Sequence, residues 1–352
     1  MASAPDSEYP PSPPADLPVP GLTHLHVHSH YTLLGATPPV AELARRAAAQ
    51  GMSHLALTDT NALYGAVAFA RACAREGITP LIGMTITVAQ PAEVRGALWA
   101  TAGELVLIAS NPEGWRSLCA LSSAIQNRPD RKEQARRGVD WEMLRAHRVG
   151  LICLAGGRRS WLGRCLAAGD PASAGRYVSR LGGIYGEDAV LAIELHRPED
   201  HGAANAVVEL GKRFGLPVAV VHPVYCLTVE ERARLPLLAA LAHNCPIAEL
   251  PPALLPDEGD AQVDLHWLTP AELAARYAAY PQALAQVGEV ARRCVPALPD
   301  GRPLWPALPW AKEQTPDETL RRLAEEGMAQ RYGNPSPVVV ARLEQELAAI
   351  AR

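Results

Sequence analysis

The stretch His24-Leu25-His26-Val27-His28-Ser29-His30 sets an imidazole at every second position. Side chains alternate between faces along an extended strand, so the four rings share one side. Other apolar runs also end in polar groups. Thr58-Asp59-Thr60 closes one, Thr85 sits in a second, Glu194 and His196 close a third, and His222 closes a fourth. Imidazoles and carboxylates that converge suit a borderline divalent ion such as Zn or Mn. Such ions activate water and neutralise phosphate charge in phosphoester hydrolysis. Plainer roles compete with this one: a strand-end Asp59 can cap the next helix, and Glu194 can pair with Arg197. His196 and His222 can be satisfied polar residues at a rim.

To converge, these groups need a scaffold that brings strand ends together. Seven apolar, β-branched runs occupy 22–28, 54–58, 80–88, 105–109, 149–155, 190–195 and 217–222. Amphipathic helical patterns separate most of them. One runs over 39–50, from Pro39 to Gly51, with Val40, Leu43 and Ala47 on one face; others cover 62–76, ended by Gly77, and 201–214, ended by Gly215. Glycine just past the end, and proline at the start of the first, are helix boundary signals. Near-continuous apolar strands alternating with helices predict an α/β fold with a parallel sheet buried on both faces. Seven such units suit a (β/α) barrel, whose working residues lie at the C-terminal strand ends.

After residue 228 the pattern turns helical. Thr228-x-x-Glu231, Thr269-x-x-Glu272 and Thr315-x-x-Glu318 read as capping boxes, ahead of helices at about 229–243, 270–279 and 316–331. The stretch 246–266 between them is Pro-rich and irregular. A last helix, 337–351, aligns Val339, Leu343, Leu347 and Ile350 in an apolar stripe with Val340 beside it, a surface suited to a partner. The predicted organisation is a disordered Pro-rich arm (1–19), a barrel (20–230), a helical linker (231–310) and a helical tail (311–352).

Composition sets limits. The chain has 352 residues, 48% hydrophobic and 20% charged, with a formal net charge of -4. That supports a large core and gives no bulk electrostatic signal for nucleic acid. The run Arg128–Arg137 holds five basic residues interleaved with Asp130 and Glu133. It reads as a solvated face, with weak DNA contact as the alternative. No apolar run nears the roughly 18 residues of a membrane span, and no secretion signal opens the chain. Seven cysteines without a C-x-x-C pair read as reduced thiols of a cytoplasmic protein. The absence of G-x-x-x-x-G-K-[ST] and G-x-S-x-G removes support for P-loop and nucleophile-elbow chemistry.

At these residues a family resemblance appears. The segment 23–88, THLHVHSHYTLLGATPPVAELARRAAAQGMSHLALTDTNALYGAVAFARACAREGITPLIGMTITV, resembles the start of the PHP domain of bacterial DNA polymerase III alpha subunits, most of all the error-prone, translesion branch. The likeness continues in order through LVLIASNPEGWRSLCALSSA (105–124), GLICLAGG (150–157) and LPVAVVHPVYCLTVEE (216–231). HWLTPAELAARYAAYPQALAQVGEVARRC (266–294) is similar to the helical linker of those polymerases, and TPDETLRRLAEEGMAQRYG (315–333) to the lead-in to their palm. The resemblance implies a distorted seven-stranded (β/α) PHP barrel followed by a helical extension.

It also implies a metal site built from H-x-H, T-D-H, a glutamate after strand three and a final D-x-H. The first pair falls on His26 and His28. The T-D-H falls on Thr58-Asp59-Thr60, the glutamate on Thr85, and the D-x-H on Pro223 and Tyr225. The family ligand positions at Thr60, Thr85, Pro223 and Tyr225 are therefore lost. A full trinuclear centre is not expected; His26, His28, Asp59 and, in partial compensation, His222 or His196 leave room for at most one weakly held divalent ion, Zn or Mn. The resemblance places the polymerase acids in a palm starting near residue 340, so these residues are not expected to hold a nucleotidyl-transfer site. The expected function is a PHP module of a DNA polymerase III alpha-like protein in replication or translesion repair. Its expected partners are a separately encoded palm and fingers or other replication and repair proteins, with DNA touched only weakly or indirectly and no membrane. The alternative is a metal-dependent phosphoesterase or 3′–5′ proofreading exonuclease.

Overall fold

Six of the seven apolar runs form strands: β1 (His54–Leu57), β2 (Thr79–Val88), β3 (Gly103–Ala109), β4 (Leu151–Gly156), β5 (Ala189–Ile193) and β6 (Val218–Val220). The computed structural model describes residues 21–94, 102–303 and 315–351, so the expected N-terminal arm lies outside the described residues. The strands hydrogen-bond in chain order into one sheet. Nearly all of their side chains are buried, as a sheet covered on both faces requires.

The sheet is not wholly parallel. β3 runs antiparallel to β2 and β4, while β1–β2, β4–β5 and β5–β6 are parallel. Val88 pairs with Gly103, which lays β3 back along its predecessor. This reversal brings the first residues of β3 to the same end of the sheet as the last residues of the parallel strands.

The seventh run, 22–28, bends at Leu25 and His26 and forms a single bridge, Val27 with Val224. Its backbone is shared between two neighbours. Ala56 N donates to His24 O and Thr58 N to Val27 O on the β1 side; His28 N donates to Val224 O, and Val224 N to His26 O, on the other. Val27 N meets the Thr58 hydroxyl at 2.9 Å where a regular ladder would offer a carbonyl. The run is thus a seam joining the first strand to the stretch after the last one.

Helices flank the sheet much as the patterns indicated. Val40–Ala49 buries Val40, Leu43, Ala44 and Ala47. The helix expected from 62 begins at Ala66, because Asn61 takes a left-handed turn (φ 54) and its side chain accepts from Thr87 N at 3.0 Å. The helix expected over 229–243 is divided into a 3-10 turn, Glu230–Arg234, and a helix, Leu235–His243. Pro236 lacks an N–H and opens the second piece, while Glu231 serves Leu227 N and Thr37 instead of completing a box. The boxes at Thr269/Glu272 and Thr315/Glu318 are complete.

The chain divides into two units, residues 1–299 and 300–352. In the first, the linker is part of the barrel's own core. Trp267 packs on His24, with ring centroids 4.4 Å apart. The buried Tyr277 hydroxyl donates to Val221 O at 2.7 Å and accepts from Leu195 N at 3.0 Å. The irregular stretch is pinned by arginines: Arg158 and Arg197 meet Asp260 at 3.1 and 3.0 Å, and Arg232 meets Asp257 at 2.6 Å. The second unit holds two helices, Pro316–Tyr332 and Pro337–Ile350, linked by Arg321 bonding both oxygens of Glu344. Its apolar stripe is graded: Leu347 is buried, Val339 and Leu343 are half-buried, and Ile350 is exposed. Among the described residues no helix is long and apolar enough to cross a membrane.

If Tyr277 ties the linker to the barrel, Tyr277→Phe leaves a buried carbonyl and amide without their partner. Urea unfolding should then show a loss of about 1–3 kcal/mol; an unchanged midpoint would mean the linker is only draped on the surface.

Candidate functional site

His26 and His28 project from the seam toward the mouth of the barrel, and both are buried. Their Nε2 atoms lie 3.0 Å apart. The protons can be placed from the surrounding bonds. Asp59, as a carboxylate, only accepts, so the Thr32 hydroxyl donates to its Oδ1 (2.8 Å). With its proton committed, Thr32 Oγ1 accepts from His28 Nδ1 at 3.2 Å and from Thr60 N at 3.2 Å. His28 therefore carries its proton on Nδ1, and its Nε2 accepts from His26 Nε2. Two neutral imidazoles satisfy each other.

Thr60, Thr85, Pro223 and Tyr225, the positions to which the resemblance assigns ligands, surround this pair. The Thr85 hydroxyl is 3.2 Å from His26 Nε2, and the Thr60 hydroxyl 3.4 Å from His28 Nδ1. Tyr225 stacks on His28, with centroids 4.0 Å apart and planes at 18°. Pro223 lines the cavity beside His26. Burial lowers the pKa of His26, against the pull of Glu104 and Glu194; burial, helped by His26 and Arg159, holds His28 well below the ordinary range.

The other sequence-predicted residues stand elsewhere. Asp59 turns to the tight turn after the seam, accepting from Ser29 N at 2.7 Å and from the Ser29 hydroxyl at 2.9 Å; it reaches His28 only through Thr32. Burial raises its carboxyl pKa, opposed by those hydrogen bonds. Gly65 makes room here, since a Cβ on it would lie 2.7 Å from Tyr31 Cδ2 and 3.1 Å from Asp59 Oδ2. His196 donates from Nε2 to Glu194 at 2.5 Å and accepts Asp264 N on Nδ1 at 3.1 Å. Burial would raise the Glu194 carboxyl, but its hydrogen bond from His196 holds it below its usual value. His222 donates to His266 O at 2.7 Å, and His24 to Leu268 O at 2.8 Å. Both act as anchors for the linker. His30 leaves the row and is exposed, its Nδ1 3.2 Å from Pro38 O.

Two residues at the mouth were not anticipated. Glu104 opens β3, and Arg159 follows β4. The Arg159 Nε donates to Glu104 Oε1 at 2.8 Å, and its Nη1 to Leu255 O at 2.7 Å. With His26, Arg158, Glu194 and Tyr225 they line a cavity of about 30 Å³, enough for roughly one water molecule. Above it a cleft of about 480 Å³, lined in part by Tyr31, Thr60, Tyr64, Arg131 and Arg159, opens the mouth to solvent.

A polymetal centre does not fit these residues. One ion could span His26 and His28, but structural and catalytic zinc sites take three or four protein donors. Asp59, His196 and His222 are committed to other partners. Among the described residues no three His, Cys, Asp or Glu side chains are grouped to hold an ion.

The fold and the histidine seam define a class. Residues 24–198 match the family model of the PHP domain, and the chain carries a PHP domain. The chain is 30% identical over 330 residues to the DNA polymerase III subunit alpha of Halalkalibacterium halodurans, covering 94% of this chain and 28% of that protein. The subunit alpha of Bacillus subtilis is 28% identical over 332 residues, with the same shares. The error-prone DNA polymerase of Symbiobacterium thermophilum is 29% identical over 354 residues, covering 94% of this chain and 30% of that one. The chain thus spans less than a third of these relatives' length, and such even identities favour neither branch.

Buried neutral histidines make stability depend on pH. Burial lowers the His24 pKa from 6.5 to about 4, opposed by its bond to Leu268 O. The unfolded chain therefore takes up this proton first as pH falls. The stabilisation is complete above pH 6.5 and is lost between there and pH 4, with His24 alone contributing a loss of about 2 kcal/mol by pH 5. Urea midpoints at pH 7.5 and 5 should show this drop, and His24→Gln should flatten it; equal midpoints for the wild type would mean that the ring is already solvated.

Proposed function

We propose that this chain is the PHP module of a DNA polymerase III alpha-like protein in replication or translesion repair, and that it serves as a structural platform. The observation that carries the reading is the closed hydrogen-bond chain Asp59–Thr32–His28–His26. It satisfies the family's histidine pair from within, and among the described residues no group of side chains is placed to complete a metal centre that would lower the pKa of an attacking water. The partner on this reading is a polymerase palm-and-fingers region or another replication or repair protein, in the cytoplasm. The similarity of 315–333 to a palm lead-in and the exposed Val338, Val340 and Ile350 support a protein partner. Direct DNA contact is at most weak: within Arg128–Arg137, Arg128 pairs with Asp130, and Arg136 and Arg137 with Glu133.

One geometric fact favours the alternative, a metal-dependent phosphoesterase or 3′–5′ exonuclease. The two Nε2 atoms are close enough for a single ion to bridge them after His26 shifts its proton to Nδ1. The two readings separate on a primer-template with a 3′ mismatch and on a simple phosphate monoester, each assayed with added Mn or Zn. The platform reading expects no turnover above buffer. Turnover that disappears in the His26→Ala/His28→Ala double variant would establish the enzyme instead.

A further inference from the structure

The turn at 257–260 carries the carboxylates of Asp257, Glu258 and Asp260, and more arginines meet it than a loop needs to be held. Arg232 alone grips both ends. It donates to the Asp257 carboxylate at 2.6 Å, and to Asp260 O and Ala261 O at 2.9 and 2.6 Å. Three further guanidiniums come from separate elements. Arg158 follows β4 and meets Asp260 at 3.1 Å, and Arg197 follows β5 and meets the same oxygen at 3.0 Å. Arg164, on the helix Trp161–Ala167, lies 3.6 Å from Glu258. Arg164 is buried, and a guanidinium is costly to desolvate. The turn itself is not relaxed: Glu258, which is not a glycine, sits in the left-handed region at φ 52. Arg158, Arg164 and Arg197 line, with Glu258 and Asp260, one cavity of about 410 Å³ at the C-terminal ends of β4 and β5. Small and apolar residues form most of its other walls, among them Gly163, Ala192, Ala203 and Val207. Crevices outside the carboxyl ends of parallel strands are where α/β sheets take ligands, and this volume suits a small molecule. The other carboxylates that line it are committed. Glu194 is bonded by His196, and Asp200 accepts from the N–H groups of His196 and Arg197.

We propose that the acidic turn 257–260 is a built-in occupant of an anion-binding pocket, and that it excludes a small molecule bearing a phosphate-like oxyanion on a compact apolar body. Arginine makes the same charge-assisted bonds to carboxylate and to phosphate oxygens. Glu258 and Asp260 hold the places of the oxyanion oxygens, and the small-residue walls leave room for the body. Binding requires the turn to lift, so the affinity of the intact chain is scaled down to the fraction of molecules in which it is raised. The pocket's arginines act whether or not the histidine pair is catalytic, so this inference stands or falls independently of the platform reading.

The test uses the full chain, as wild type and as Asp257→Asn/Glu258→Gln/Asp260→Asn, with inorganic tripolyphosphate as the probe and ionic strength held constant with sodium chloride. Calorimetric titration should show weak binding to the wild type and binding roughly tenfold tighter, or more, to the neutral-turn variant. Adding Arg158→Gln and Arg197→Gln to that variant should abolish it. Hydrogen exchange of the wild type should rise within 252–262 when excess tripolyphosphate is added, and not elsewhere. A deoxythymidine oligonucleotide should bind neither chain beyond the effect of matched salt, since a strand exceeds a cavity of this size. Equal binding of tripolyphosphate by the two chains, or binding that survives Arg158→Gln/Arg197→Gln, would overturn the inference. So would an oligonucleotide that binds the neutral-turn variant as well as tripolyphosphate does. Should that variant fail to fold by circular dichroism, the exchange experiment on the wild type decides, and unchanged protection across 252–262 would sink the proposal.

Discussion

The Thr32 hydroxyl has one proton to give, and Asp59 takes it. That constraint orders the rest of the barrel mouth. Thr32 must then accept from His28, His28 must carry its proton on Nδ1, and its other nitrogen must accept from His26. A buried polar group without a partner costs about 1–3 kcal/mol, so a seam bearing alternate histidines has two ways to be stable: metal ligation or internal hydrogen bonding. On the platform reading proposed above, this chain takes the second. Thr60 and Thr85 stand where the family has ligands and offer hydroxyls to the same rings, and Tyr225 offers a stacking face.

The same logic runs along the seam in the other direction. His24 and His222 bond to carbonyls at Leu268 and His266, so histidines near the start of the seam and after β6 tie the linker to the barrel. Tyr277 completes the attachment. Extension and barrel thereby fold as one unit, and the histidine-rich seam acts as a structural joint at both of its ends. Charge is handled likewise: the arginines around the mouth meet the carboxylates of 257–260, so ion pairs fix an irregular loop alongside the buried Val263 and Leu265.

Much of this was legible in the sequence. The alternating histidines gave the seam, six apolar runs gave the strands, and two complete capping boxes marked where their helices start. What was hidden has physical causes. Period-two hydrophobicity is the same in either strand direction, so the reversal of β3 could not be read, and with it the arrival of Glu104 at the mouth. A lone glutamate opening the run GELVLIA was the available signal. Arg159 was likewise visible as a charge at a strand end, but its role depends on Glu104. The splitting of the 229–243 helix was signalled by Pro236. The tautomers of His26 and His28 depend on Thr32, whose hydroxyl looks unremarkable until the 29–32 turn brings it over Asp59.

The central claim is that this PHP barrel closes its histidine pair on itself. Anomalous diffraction from crystals of the intact chain soaked in zinc and in manganese tests it most directly. The account predicts no anomalous peak between His26 and His28, with the Arg159 guanidinium in density against Glu104. A peak within bonding distance of both Nε2 atoms, with Arg159 displaced from the cavity, would contradict it.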